Sequence, residues 1–337
     1  MFKEVRKKVE SFPGYLKSWV GTFKGGLTIF CLIILLIIPL LTQNAYYLGE
    51  FFTLAMIYAI FAASWDLLAG IAGQVSFGHA IFFAISGYIS SAFIVYFGFH
   101  WIIALFIGSI IAVVFGLLIA VPCLRLKGPY LALGTMSFGL ILFLLFTMGG
   151  LSEILGGSGG ISKVPPISLN PVIEYIITLF IMVIVFIIII AIAKSNFGTI
   201  LKSIRDDERG SDASGINTTK YKIFAFMISG FFAGIAGALF AMHYRGVNPA
   251  FFQPLYSFYA IVIAALGGIA TIRGSALGAF FFVIVTRIFE NIEFFADVEP
   301  LFFFSIILIF TIRFAERGII TPAIENLKDL WDLVLGK

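Results

Sequence analysis

The sequence predicts an all-α polytopic membrane protein with about ten spans, some broken or re-entrant, and both termini in the cytoplasm. Three observations carry that prediction. Hydrophobic residues make up 61% of the 337 residues and charged residues only 12%, whereas about a quarter of a soluble protein is charged. Mean hydropathy is +1.08, and 40 residues are phenylalanine. Of the 22 Lys and Arg, all but Lys163, Arg245 and Arg287 fall in segments that alternating spans place on one side. The positive-inside rule makes that side the cytoplasm. Cys31 and Cys123 lie inside or at the edge of apolar runs, which argues against a disulfide framework.

Taken in order, residues 1–24 form a cytoplasmic amphipathic segment. Phe2, Val5, Val9, Phe12, Leu16 and Trp19 recur at helical spacing with Lys3, Lys7, Lys8 and Lys17 between them. That pattern suits a basic helix on the membrane surface, bent at Pro13-Gly14. The apolar run to Leu41 is about 17 residues long, and no small-x-small cleavage site follows in TQNAYY, so it reads as an uncleaved first span. Further spans are expected at 46–69, 75–97, 101–124, 129–149, 171–193, 222–244, 256–270, 275–291 and 300–317. With 25–41 they make the transmembrane domain 25–318, interrupted by a cytoplasmic loop at 194–222 and followed by a cytoplasmic tail at 319–337. The third and eighth are the weakest, being Gly/Ser-rich or short, and are candidates for broken or re-entrant segments. GIAGQVSFGHAIFFAISGY at 70–88 and LGGIATIRGSALGAFFF at 266–282 share an order of small residues ahead of aromatic ones. The topology gives both the same direction, so they do not form an inverted repeat.

The loop stretch TILKSIRDDERGSDASGI at 199–216 reads as a short amphipathic helix. Thr199 can cap it, Ile200, Leu201 and Ile204 share a face, and Arg205, Asp206, Asp207, Glu208 and Arg209 crowd the rest. Gly215 offers a left-handed stop, and Asn217 or Thr218 can cap the next helix. Such a helix faces water or a soluble partner, or else merely links two spans.

No enzyme site emerges. There is no G-x-x-x-x-G-K-[ST], the only Gly-Lys pair being Gly336-Lys337, so any ATP dependence belongs to another subunit. His79, His100 and His243 are dispersed, without HExxH or Cys/His pairing, so no metal site is expected. The densest polar cluster near membrane depth is Gly73-Gln74-Val75-Ser76-Phe77-Gly78-His79. Such groups in hydrocarbon must pair or face water, so they either line a polar path or bond a neighbouring helix. Asp66, near the cytoplasmic end of its span, suits a snorkelling acid or a helix-end hydrogen bond better than a proton relay. Gly267, Gly268, Gly274 and Gly278 give packing surfaces by default and a gate hinge in the sharper reading. Gly156-Gly157-Ser158-Gly159-Gly160 reads as an external flexible loop.

Four stretches in order resemble the M-type permease subunit of branched-chain amino-acid ATP-binding-cassette importers, over about residues 45–318. WDLLAGIAGQVSFGHAIFFAISGY at 65–88 is similar to the family's LNLLVGxxGQxSLGHAxFFxxGAY. RLKGPYLALGTMSFG at 125–139, GGSGGI at 156–161 and GTILKSIRDDERGSDASGI at 198–216 match three further family patterns. Departures are Asp66 for Asn, Leu155 for Thr, and Gly210-Ser211 for an Ala pair, which makes an early end to this helix an expectation.

The resemblance implies a passive translocation subunit that carries branched-chain amino acids and has no catalytic residue or cofactor of its own. The implied partners are a second, homologous permease, two ATPase subunits that use ATP and Mg, an external binding protein and membrane lipid, with no role for nucleic acid. The coupling residues would be Arg205, Asp206, Asp207, Glu208 and Gly215, and the path residues Gln74, Ser76, Phe77, Gly78 and His79. Related permeases for urea or short amides share much of the pattern. An ion-driven transporter would need paired acids deep in the spans, and Asp66 near an edge is the sole acid close to that description.

Overall fold

The computed structural model describes residues 23–42, 44, 46–126, 128–148 and 155–290, with the single positions 302, 305, 306, 309 and 322. The surface helix expected within 1–24, the tenth span at 300–317 and the tail fall almost entirely outside these residues. The regular structure of the described residues is helical apart from one two-stranded ribbon. The helices are α1 Phe23–Leu41, α2 Tyr47–Ile71, α3 Ala80–Phe97, α4 Trp101–Cys123, α5 Pro129–Thr147 and α6 Pro171–Lys194. After them come α7 Asn196–Asp206, α8 Glu208–Ala213, α9 Thr218–His243, α10 Pro254–Gly267 and α11 Arg273–Glu290. Six of these, α2 to α6 and α9, are long and apolar enough to cross a membrane. The chain is a multi-pass membrane protein, and the described part supports six such spans where the sequence suggested more.

Local signals explain most boundaries. Asn170 caps α6, its side chain accepting from Val172 N–H at 2.9 Å, and Pro171 takes the first helical position, where a missing N–H costs nothing. His100 caps α4 in the same way through Ile102. Gly98, at φ 67°, ends α3 in the left-handed conformation. α10 has only 14 residues, a rise of about 21 Å at 1.5 Å per residue. That is well short of the roughly 30 Å hydrocarbon core. The single-turn 3-10 helix Pro249–Phe252 leads into it.

α2 is the axis of the molecule. The whole of its most apolar window is buried inside the protein; α6, α9, α10 and α11 surround it, and Phe83 of α3 packs on its Phe61. It opens and closes with π-helical turns, Tyr47–Thr53 and Leu67–Ile71. On the outside, α4, α5 and α6 expose Phe106, Ile110, Leu144, Phe180 and Ile187, as lipid requires. Helices in lipid gain no hydrophobic stabilisation from meeting each other, so their contacts depend on close backbone approach. Gly237 of α9 sits where a Cβ would strike the Phe83 carbonyl of α3, and Gly108 of α4 lies against Ser86 and Ser90 of α3. The glycines of the 266–278 stretch pack likewise: Gly267 and Gly274 face each other's carbonyls across the α10–α11 turn.

Ile161–Ser162 (β1) and Gly246–Val247 (β2) form an antiparallel pair, with Ile161 opposite Val247. The charge pattern of the sequence would place this ribbon on the outer side.

Replacing Gly237 by Val should force α3 and α9 apart, at a cost of about 1–3 kcal/mol. Size-exclusion profiles after heating should show a lower melting point and less monodisperse protein. Gly159→Ala, at a position with nothing within 4 Å, should match wild type, and equal behaviour of the two variants would refute the close-approach account.

Candidate functional site

The loop at 194–222 is an elbow of two helices rather than the single one expected. α7 starts earlier than Thr199: Ser195 is its cap, accepting from Gly198 N–H at 3.4 Å, while the Thr199 hydroxyl donates back to the Ser195 carbonyl at 3.2 Å. Ser203 is followed by a break at Asp207, whose backbone is extended (φ −151°, ψ 100°). Asp207 then caps α8, its carboxylate accepting from Gly210 N–H at 3.0 Å. The aspartate ends one helix and starts the next, because its side chain competes with the helical ladder for backbone donors. The break thus falls ahead of Gly210-Ser211, and Ser211 is used to brace the elbow through a 2.9 Å hydrogen bond with Ser203.

Gly215 is left-handed at φ 85°. Gly215 N–H donates to Asp212 O at 2.9 Å and Ile216 N–H to Ser211 O at 3.2 Å, the pair of bonds that defines a Schellman stop. Asn217, not Thr218, caps α9 through Lys220 N–H at 2.9 Å.

The five expected coupling residues have different surroundings. Arg205 turns inward: its guanidinium donates to the Gly70 carbonyl at 2.8 Å and to Asp206 at 2.8 and 2.9 Å. Its stem lies on Gly73, where a Cβ would collide with it. Glu208 pairs with Lys222 at 2.6 Å, the lysine side chain being only 8% exposed. Asp207 is the cap. Asp206, Arg209, Asp212 and Gly215 remain on the open side of the elbow.

Gln74, Ser76, Phe77, Gly78 and His79 belong to a segment, 72–79, that folds back alongside the end of α2. Gln74 N–H donates to Leu68 O at 3.0 Å, and the Trp65 indole N–H donates to Ser76 O at 2.8 Å. His79 reaches Ser64, at 2.9 Å through Nε2, and stacks on Phe61. Since Ser64 lies seven residues before Ile71, the segment rises on the order of 10 Å from the end of α2. Thr135 Oγ1 accepts from both Phe77 N–H (3.1 Å) and Gly78 N–H (3.3 Å), and Ser257 Oγ accepts from Ala80 N–H at 2.9 Å. The N-termini of α3 and α10 therefore meet inside the protein. Gln74, Ser76, Gly78 and His79 are buried and Phe77 is half-buried, with the Gln74 amide donating to Ala72 O at 3.2 Å. Thr135 and Ser257 were not singled out in the sequence, because a lone hydroxyl in an apolar span carries no periodic signal.

Asp66 is fully buried and does not snorkel. One carboxylate oxygen accepts from Ala270 N–H at 2.6 Å, in the α10–α11 turn, where Ala270 has φ 65°. Gly70 makes the approach possible: a Cβ there would overlap the Asp66 carboxylate and the Ala270 backbone. The second Asp66 oxygen has no hydrogen-bond partner among the described residues. The two expected sets thus converge on one node, with Arg205 holding Gly70 O and the 72–79 segment starting beside it.

At the other end of the bundle is a second feature that the sequence did not signal: a cavity of about 560 Å³ between α2, α9, α10, α11 and the β ribbon. Tyr58, Phe240, Tyr256, Tyr259 and Phe282 form much of its wall, and Arg245 and Arg287 stand at its polar side. None of residues 74–79 lines it. The available clue was that Arg245 and Arg287 break the positive-inside pattern. Among the described residues, no group of three His, Cys, Asp or Glu could hold a metal ion.

The family model described as branched-chain amino acid transport system / permease component matches residues 47–311. The high-affinity branched-chain amino acid transport system permease protein LivM of Escherichia coli K12 is 28% identical over 268 residues, 71% of this chain. The chain spans 63% of that relative's length. The probable LivM of Methanocaldococcus jannaschii is 26% identical over 67% of this chain and 71% of its own. LivH of Salmonella typhimurium is 28% identical over 70% of this chain and 83% of its own. No solved structure matches the chain.

Asp66→Ala should leave the half-buried Ala270 N–H without its acceptor and lower stability by about 1–3 kcal/mol. Asp66→Asn keeps an acceptor oxygen in place and should unfold near the wild-type temperature. A thermal shift series in detergent checks both, and an Ala variant as stable as the Asn variant would remove the node from the account.

Proposed function

Because the chain belongs to the branched-chain amino-acid transport permease family, we propose that it is a translocation subunit of an ATP-binding-cassette importer for branched-chain amino acids. It would work with a second permease of the same family, two ATPase subunits and an external binding protein, and would hold no nucleotide itself. ATP and Mg would be used by the ATPases. The observation that carries this reading is the elbow. Its open side offers Asp206, Arg209, Asp212 and Gly215, while its inner side is fastened to the membrane core through Arg205 and Gly70 O. A soluble partner that pushes on the open side pushes on the ends of α2 and of the α10–α11 turn.

This divides the five coupling residues by task. Asp206, with its side chain 66% exposed, and Gly215 meet the ATPase. Arg205 transmits. Asp207 and Glu208 shape the elbow, one as a cap and the other through Lys222. The 72–79 segment, with Gln74 to His79, forms the movable wall of the path: it is non-helical inside the protein, as segments at transporter passages are, and begins at the node that Arg205 holds.

Reconstitution with its partners should give ATP-dependent uptake of leucine, isoleucine or valine and none of urea; uptake of urea alone would replace the substrate class. Within the active complex, Arg205→Gln should preserve assembly and basal ATP hydrolysis yet lower leucine uptake about tenfold or more. That estimate follows from losing a charge-assisted hydrogen bond of about 1.5–3 kcal/mol. Asp206→Lys with Arg209→Glu should instead weaken co-purification of the ATPase. Loss of assembly in Arg205→Gln would make Arg205 a docking residue and end the transmission assignment.

A further inference from the structure

The outer cavity has the composition of a binding site rather than of a packing fault. Its volume of about 560 Å³ is within the range of small-molecule sites. Its apolar wall is a connected set of rings: Tyr58 lies 5.9 Å from Tyr259 and from Phe240, and Tyr259 lies 5.3 Å from Phe282, centroid to centroid. Tyr256 closes the set at 5.9 Å from Tyr259.

The two arginines of the cavity differ in state. Arg287 is engaged by the Glu50 carboxylate and donates to the Tyr244 hydroxyl at 3.1 Å. Arg245 is exposed, and its side chain makes no hydrogen bond or ion pair among the described residues. Its backbone is nevertheless fixed. It sits at φ 55°, a region disfavoured for residues other than glycine. It is held there by Val164 N–H donating to Arg245 O at 3.1 Å, by its own N–H donating to Met242 O at 3.3 Å, and by the adjoining ribbon. An unspent guanidinium on an immobilised backbone, beside an aromatic pocket, is a preorganised anchor for one carboxylate.

We propose that this cavity binds the zwitterion of an apolar amino acid, with the side chain against Tyr58, Tyr256 and Phe282 and the carboxylate on Arg245. The ammonium group lies among the ring faces and hydroxyl oxygens of Tyr256 and Tyr259, which attract a cation. The assignment rests on the transport reading above and adds to it a discriminating feature. A neutral solute such as urea or an amide has no carboxylate to give Arg245, so the site itself would reject the alternative substrate class.

The test uses the complete importer in nanodiscs without the binding protein, so that binding is read on the membrane subunits. Labelled leucine and leucinamide, which lacks the carboxylate, are compared by direct binding. Wild type should prefer leucine at least about tenfold, the effect of one charge-assisted hydrogen bond. Arg245→Gln should erase the preference. Arg245→Gly should do so too while relieving the backbone, which separates loss of the anchor from misfolding. Arg245→Lys, losing the bidentate geometry, should fall between. Lys163→Gln, a neighbouring outer cation outside the cavity lining, should behave as wild type. An importer that carries leucine but whose Arg245 variants keep the preference overturns this site and leaves the transport reading standing. A complex that neither binds nor carries any branched-chain amino acid overturns both.

Discussion

A carboxyl group buried in a membrane span is the constraint around which one end of the bundle is arranged. Asp66 has no exposed surface, and leaving such a group without a donor in a low-dielectric interior is costly. The donor comes from the Ala270 backbone, at 2.6 Å. For Ala270 to come that close, Gly70 must lack a side chain, and the α10–α11 turn must accept a left-handed alanine. One requirement therefore fixes a side chain, a glycine and a strained turn far apart in sequence. Arg205 then uses the carbonyl of that same Gly70, which brings the elbow into register with the turn.

Elsewhere the helices are held by shape. Lipid is as apolar as leucine, so burying leucine against leucine yields little, and contact at small residues replaces it. α3, α4 and α9 meet at Gly108, Gly234 and Gly237, while the bulky residues of α4 to α6 are turned outward. Two buried hydroxyls satisfy backbone groups that an irregular segment leaves open. Thr135 and Ser257 serve the 72–80 stretch in this way, and Ser229 donates to the Ser64 carbonyl at 2.7 Å. A re-entrant segment is tolerated because these hydroxyls supply what water would.

What was legible in the sequence was what depends on neighbours along the chain. Apolar length marked the long helices, Gly215 marked the left-handed stop, and Asn217 marked the start of α9. The start and break of the elbow were less legible: Ser195 and Thr199 are equally good caps by type, and Asp207 breaks the helix only because its carboxylate finds Gly210 N–H. Contacts across the fold left no local trace. Arg205 looks like one charge among five until the Gly70 carbonyl is placed beside it. The aromatic cavity assembles Tyr58, Phe240, Tyr256 and Phe282 from four helices, and in the sequence each is an ordinary aromatic in an apolar run.

The geometry of α10 connects the two ends of the molecule. Its first turns carry Tyr256 and Tyr259 of the outer cavity, and Ser257, which receives the α3 N-terminus. Its last residue, Gly267, precedes the turn that Asp66 holds. With 14 residues it is a short element with no proline beyond its first position, and so lacks a proline at which helices kink. On the transport reading, a push on the elbow that shifts Gly70 relative to Ala270 acts on the cytoplasmic end of α10. Its other end forms part of the cavity wall and touches the folded-back segment. On that reading the cavity and the elbow act at opposite ends of an element about 21 Å long, and the half-buried hydrogen bond between Asp66 and Ala270 is where force would enter it.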